Sequence, residues 1–457
     1  MFLVCVSGFL LGMLVPFCEG FSPSTVANIN QAALDYVAER GRSSFQNALK
    51  MQLPDLPDPN QGGLQRIPVF MFDNSIPQFT LKFIPNYGIR LSAAGHVNMK
   101  VFLKKNLLKL QVGVNISADV VISQATIGSL LVDVSLCKST TEEISVTYKE
   151  DELKELWNPL REYVRVILPD KLCSKLHFMV EELNVYMGTM TGIYPLGPES
   201  QISYSLTHPP TITEEHMSLN VSTTFYLLGK PIVLPPRVSS FSLPHQVGSK
   251  NAMVNFVLPK ELFDSIYFLM QKSGSINLDI TGQLNSENNQ LTTLVLGNLI
   301  PEVHRQFPKS MPIMMKARIS SVPTSTILGD EVSLKLPYYL EVLVVSSNSA
   351  FKSLFSLDVI VELKLRMFVS GVKLQASISF LKDIELKVNA SNMGVFDLEK
   401  VKPLITSTFK NPLLEHLNAL FGLGAMLPNI AKLNYITPEV FVHEGYIVVS
   451  CGLHFQS

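Results

Sequence analysis

Five cysteines, nine histidines and 38 Asp+Glu carboxylates carry most of the reactive capacity of this 457-residue chain, and their spacing decides what chemistry is open to it. A serine nucleophile on a strand-to-helix elbow needs Gly-x-Ser-x-Gly, and a zinc hydrolase needs His-Glu-x-x-His to put two imidazoles on one helical face. Neither spacing occurs, and there is no phosphate-cradling glycine loop. The nearest feature, Gly422-Leu423-Gly424, ends a helical stretch and reads as a cap and turn. The histidines are scattered, no Cys-x-x-Cys occurs, and the carboxylates are too dispersed to nominate an acid/base pair. The expectation is a non-enzymatic protein with no catalytic residue, metal or cofactor.

The first 18 residues, MFLVCVSGFLLGMLVPFC, are apolar and uncharged and are followed by Glu19-Gly20. That pattern reads as a secretory leader over residues 1–20, with the mature chain starting at Phe21. Elsewhere Lys, Glu or Asp interrupts every apolar run before the ~20 residues a spanning helix needs. The expected product is secreted and extracellular, touching membranes peripherally at most.

Cys5 and Cys18 fall in the leader, so Cys137, Cys173 and Cys451 remain, with three possible pairings. Cys451 lies in phase with Ile447, Val449, Leu453 and Phe455 on an apolar strand face, the setting of a buried small hydrophobe. That leaves Cys137, in a strand, to pair with Cys173, in a helix.

The elements that must position these residues announce themselves by periodicity. From Leu108 the even positions run Leu108, Leu110, Val112, Val114, Ile116, Ala118, Val120 and Ile122 against Lys109, Gln111, Gly113, Asn115, Ser117 and Asp119. Residues 331–344 and 358–367 alternate likewise. Such runs specify antiparallel strands with one buried face, long enough to require a strongly coiled sheet or barrel.

Helical spacing appears in four places. Residues 24–50 start at Ser24 as N-cap, with Val26, Ile29, Ala33 and Val37 on one face. Residues 158–168 open Asn-Pro and continue past Pro169; residues 259–272 precede Gly274; and 402–421 again open with proline. Helix, strands, proline-started helix, then the same order again: the architecture is duplicated. A proline-rich stretch, PIVLPPRVSSFSLPH (231–245), separates the halves. The expected division is residues 21–225, a linker and central sheet over 226–250, and residues 251–457.

Charge narrows the partners. Lys+Arg is 37 against 38 Asp+Glu, which excludes a generally basic nucleic-acid binder. Charged residues are 16% of the chain, against a usual ~25%, so apolar surface must be lodged inside. Residues 21–205 hold 17 Lys+Arg and 18 Asp+Glu, giving this half no positive field. Lys104, Lys105 and Lys109 cluster at a hairpin tip, read as a solvated turn or as a contact for anionic lipid. Three glycosylation sequons start at Asn115, Asn220 and Asn389, each on the polar phase of a strand.

The strand run VFLKKNLLKLQVGVNISADVVIS (101–123), Cys137 with Cys173, the central proline stretch and FKNPLLEHLNALFGLGAMLPNI (409–430) together resemble the bactericidal/permeability-increasing (BPI), lipopolysaccharide-binding and lipid-transfer family. GPESQI (197–202), LLGKPIVLP (227–235), INLDITGQL (276–284) and FSLDVIVELKL (355–365) are similar to its long PLUNC (palate-lung-nasal-clone) subgroup. The resemblance implies an α+β fold: a two-domain boomerang, each domain a coiled antiparallel β-barrel packed with a long helix, joined by a central sheet. It also implies the Cys137–Cys173 disulfide and apolar pockets for acyl chains. Positions assigned to those pockets are Val37, Leu110, Val112, Val164 and Ile167 in the first half, and Leu262, Ile266, Leu363, Leu413 and Leu417 in the second. The functions implied are holding phospholipid or a similar lipid, with a place in mucosal innate defence. Alternatives are recognition of bacterial lipopolysaccharide, which the neutral first half disfavours, or a non-lipid structural role in a secretion or matrix.

Overall fold

The even positions from Leu108 to Ile122 do turn inward, all but Val120 buried, along the strand Leu107–Gln124. In the computed structural model this strand belongs to a five-stranded antiparallel meander with Met51–Pro57, Arg66–Ile84, Gly88–Phe102 and Leu130–Val146. The structure describes residues 24–58, 65–103, 107–146, 154–234, 244, 247–249, 251–281, 291–345, 350–429 and 433–454. The expected leader, Lys104, Lys105 and much of the proline-rich stretch lie outside them.

Register shifts at Met71/Asp73, Ser75/Gln78, Val112/Val114 and Asp119/Val120 insert bulges that bend the meander. Gly95 faces one of them: a Cβ there would lie 2.1 Å from the Ser75 carbonyl oxygen. Only glycine allows that approach.

A second curled sheet of eight strands lies in the other half, built on Glu331–Val345 and Phe351–Ser370. Between the two, a nine-stranded sheet runs in the order Asn434–His443, Tyr446–His454, Val254–Pro259, Ser24–Asn30, His216–Leu227, Ser200–Leu206, Ile193–Pro195, with Thr211–Ile212 and Lys230–Pro231 also on His216–Leu227. Its strands thus come from both ends of the described chain and from either side of 226–250.

Six α-helices occur among the described residues: α1 (Gln31–Ala48), α2 (Lys154–Met187), α3 (Lys260–Ser273), α4 (Thr293–Leu299), α5 (Pro301–Gln306) and α6 (Leu398–Gly422). Gly274 ends α3 in the left-handed region, at φ 69°. The Asp397 carboxylate caps α6 by accepting from the Glu399 N–H at 3.1 Å. Two boundaries correct the sequence reading. Residues 24–30 are a strand, because pairing with both His216–Leu227 and Val254–Pro259 satisfies their backbone and buries both of their faces. Helices α2 and α6 begin four residues before the Asn-Pro and Lys-Pro signals, so Pro159 and Pro403 fall in their second turns.

The long helices share one burial pattern. In α2 the buried positions are Leu156, Leu160, Val164, Leu168, Leu172, Leu176 and Val180; in α6 they are Val401, Ile405, Phe409, Leu413, Leu417 and Phe421. Every fourth residue overshoots a helical turn by about 40°. The apolar stripe therefore winds around the helix and follows the curl of its sheet. Helix α2 packs against both Leu130–Val146 and Met51–Pro57, the free edges of the meander, and so closes it. Cys137 on the first of those edge strands is bonded to Cys173 on α2, with Cα atoms 5.8 Å apart. Closing that loop stabilises the folded chain by roughly 4 kcal/mol on the chain-entropy account.

Candidate functional site

Where the first half meets the central sheet, the core does not close. A cavity of about 480 Å³ lies above Ala27, Ile29, Met217, Leu219, Val221, Val254 and Phe256 of that sheet. Its walls are the near ends of the meander strands (Phe79, Leu81, Ile89, Leu91, Val120, Ile122), helix α1, and the last turns of α2. Tyr435 and Leu453, from the far end of the chain, complete its floor. That volume is within the range of small-molecule pockets, about 300–1,000 Å³.

No charged side chain lines the cavity. Its polar groups are the Ser44 hydroxyl and the Tyr435 phenol, which donates to the Pro428 carbonyl. Burial pushes the Tyr435 phenol well above the ordinary range, so it stays neutral. Ser44 on α1 and Leu183 on α2 are the lining residues most open to solvent, which sets the mouth between these helices. The site can shelter hydrocarbon and offers nothing for acid/base work.

The equivalent place in the second half is smaller and divided, with a separate pocket of about 190 Å³ adjoining it at Leu196, Met270 and Leu420. About 50 Å³ remains between Ile202, Tyr204 and Leu258 of the central sheet and Leu262, Phe263, Ile266 and Tyr267 of α3. Side-chain size explains the difference. Helix α1 turns Ala33, Val37, Gly41 and Ser44 to its cavity beside the larger Leu34 and Phe45, and a Cβ built on Gly41 meets nothing within 4 Å. Helix α3 presents Phe263, Tyr267 and Met270, and the Tyr267 ring lies 6.0 Å from that of Phe421. Phe421 and Met367 plug what is left.

Of the positions assigned from sequence, Val37 lines the larger cavity, and Leu262 and Ile266 line the smaller. The others line neither. Leu110, Val112, Val164, Leu363, Leu413 and Leu417 are fully buried in the packing between long helix and sheet, farther from the central sheet. Ile167 is only half-buried, because the inward stripe of α2 passes through Val164 and Leu168. Inward phase located the core correctly but could not tell packed core from open core. The missed lining residues, Ala33, Gly41 and Ser44, carry a readable signal: small side chains along one face of a helix.

Among the other assigned positions, Asn115 and Asn389 are exposed, and their side-chain amides donate to Glu142 and, at 3.0 Å, to Asp358. Asn220 is half-buried on the central sheet opposite Val26. Cys451 is buried with its thiol pushed up to about 12 by desolvation. Lys109 is exposed on the outer face of the meander. No cluster of metal-ligating side chains and no helix long and apolar enough to span a membrane occurs among the described residues.

Comparison with known proteins places this geometry. The N-terminal domain of the LBP / BPI / CETP family matches residues 33–186, and its C-terminal domain matches residues 197–455. Human BPI fold-containing family B member 2 is 42% identical over 451 residues, covering 98% of each chain. The chain belongs to the LBP/BPI/CETP family. The mouse protein of the same name is 42% identical over 436 residues, covering 95% of this chain and 94% of its own. Chicken protein TENP, a more distant relative, is 24% identical over 457 residues, covering 98% of this chain and 99% of its own. The solved structure of lipopolysaccharide binding protein superimposes with a TM-score of 0.62 at 18% identity, covering 96% of this chain and all 100% of that one. The fold is thus the α+β two-domain boomerang of the LBP/BPI/CETP family, with a curled antiparallel sheet and a long helix in each half.

Proposed function

We propose that the protein is a secreted, non-enzymatic lipid carrier that holds the acyl portion of a phospholipid or similar amphiphile in its first half. The observation that carries this reading is the cavity of about 480 Å³ with no charged lining residue. Apolar burial supplies the affinity, roughly 0.8 kcal/mol for each methylene removed from water. Membership of a family named for lipopolysaccharide binding and bactericidal proteins supports a lipid ligand over a structural role in a matrix. Two domains, 21–225 and 251–457 about a linker at 226–250, would then be unequal in capacity, with one ligand rather than two. The test is native mass spectrometry and lipid extraction of the protein as secreted, without detergent. One lipid equivalent is expected; an empty protein that takes up no phospholipid from vesicles would overturn the reading.

A second reading, recognition of lipopolysaccharide or another anionic surface in mucosal defence, is favoured by one feature at the far end of the meander. Lys100 sits 4.1 Å over the Phe72 ring, beside exposed Phe102 and Lys109. Salt-sensitive binding to lipopolysaccharide, absent in Lys109→Gln, would support it.

A further inference from the structure

We propose that the far end of the second half is a docking surface for anionic lipid, formed by Phe307, Phe351, Lys309, Lys316 and Lys352. The strand Phe351–Ser370 starts at this end and runs inward to Leu365 and Met367 beside the central sheet. Phe351 is therefore as far from the small cavity as its strand allows, and it is 49% exposed. The Lys316 ammonium lies 4.2 Å over its ring, and that of Lys352 lies 5.1 Å over the ring of Phe307.

Charge at this end is positive. The cross-strand neighbours of Lys316 are Asp279 and Glu341, and Asp279 is already held by Arg318 at 2.5 Å. Arg318 lies deeper, level with Asp358, so the positive charge of the tip itself is carried by two exposed lysines, Lys352 over the Phe307 ring and Lys309 two residues beyond that ring. A phenyl ring is stable at the boundary of headgroup and acyl chain, and a lysine stem lies along apolar surface while its ammonium reaches phosphate. Pairing the two on one spot suits a lipid interface.

The partner's shape follows from repetition. At the far end of the first half, Lys100 covers Phe72, Phe70 meets Phe102 edge-on at 5.5 Å, and Lys109 is exposed. The two ends share no strand, yet each sets a lysine over a phenylalanine ring and exposes one phenylalanine, Phe102 in the first half and Phe351 in the second. A partner that meets the same chemistry at both ends of one molecule is extended and repetitive, as a lipid surface is. This inference stands apart from the cavity and does not need it to be filled.

The experiment is co-sedimentation of the full protein with phosphatidylcholine vesicles, with and without phosphatidylserine. Binding is expected only with phosphatidylserine and is expected to fall in high salt. Neutralising exposed lysines in Lys309→Gln and Lys352→Gln should weaken it roughly fivefold each, and Phe351→Ser should weaken it further with the melting temperature retained. Should Phe351→Ser unfold the domain, the lysine variants, altered only at exposed side chains, decide alone. Unchanged binding by the double lysine variant, or equal binding to phosphatidylcholine alone, would overturn the proposal.

Discussion

Asn184 on α2 grips Val132 by both polar groups of its backbone. The Val132 N–H donates to Asn184 Oδ1 at 2.8 Å, and Asn184 Nδ2 donates to the Val132 carbonyl at 2.9 Å. The second half does the same: Asn418 on α6 accepts from the Ile378 N–H at 2.8 Å and donates to its carbonyl at 3.2 Å. Val132 lies on an edge strand, whose outward amide and carbonyl would otherwise lack a partner under a helix. A carboxamide supplies one donor and one acceptor at the spacing of a neighbouring strand, so each long helix stands in for the strand its sheet lacks.

Replacing Asn184 with alanine leaves two backbone groups without partners beneath α2. A loss of about 2 kcal/mol is expected, read as a lower denaturant midpoint with unchanged slope. Amide exchange at Val132 should quicken at the same time. An unchanged midpoint would mean that water satisfies the edge as well as Asn184 does.

The Cys137–Cys173 bond and Asn184 fasten the same helix to the same strand. Cys137→Ala with Cys173→Ala should destabilise the first half by roughly 3–4 kcal/mol and release α2, a cavity wall, so lipid content should drop as well. Non-reducing peptide mapping of the parent protein should return the Cys137–Cys173 pair. A disulfide containing Cys451 would contradict the inward phase of its strand.

Cavity and core predict opposite outcomes for one substitution. Val37 is half-buried on the wall of the larger cavity, so Val37→Asp should expel lipid while the fold persists, because water can enter the emptied space. Leu417 is wholly buried in packed core, and Leu417→Asp should unfold the second half, since an unpaired buried carboxylate costs several kcal/mol. Phe421→Ala should destabilise by about 3 kcal/mol and enlarge the smaller cavity enough to accept apolar ligand. Lipid stoichiometry beside thermal unfolding separates the three; lipid retained in Val37→Asp would remove α1 from the binding wall.

Alkaline pH should unfold the protein through groups that are buried neutral. Burial raises the phenols of Tyr204, Tyr267, Tyr338 and Tyr435, and pushes Tyr163 and the Cys451 thiol up to about 12. Each folded value lies above its unfolded one, 10.0 for tyrosine and 9.0 for cysteine. The stability they contribute is therefore intact below those values and is lost as pH rises through about 12. Tyrosinate absorbance should lag a free-tyrosine titration and then rise together with loss of helical signal. Phenols that titrate normally in a folded chain would contradict their burial.

Alternation made the sheets legible, because a period of two with one apolar phase admits a single buried face. The long helices were legible through their prolines, though Pro159 and Pro403 sit in the second turns rather than opening the helices. Ser24–Asn30 was misread because Val26, Ile29, Ala33 and Val37 hold helical spacing across a strand–helix junction; pairing with two distant strands overrides it. The larger cavity was not legible, since it depends on what is absent between elements. The small residues Ala33, Gly41 and Ser44 along one face of α1, against Phe263, Tyr267 and Met270 along α3, are the trace it leaves in the sequence.

Tyr435 and Leu453 complete a cavity floor whose first residue is Ala27. Synthesis must therefore pass residue 453 before that floor is complete. The nascent first half, however well its disulfide and meander have formed, emerges with one side of its chamber missing. Any ligand of that cavity would meet its whole lining only after residues 433–453 have joined the sheet.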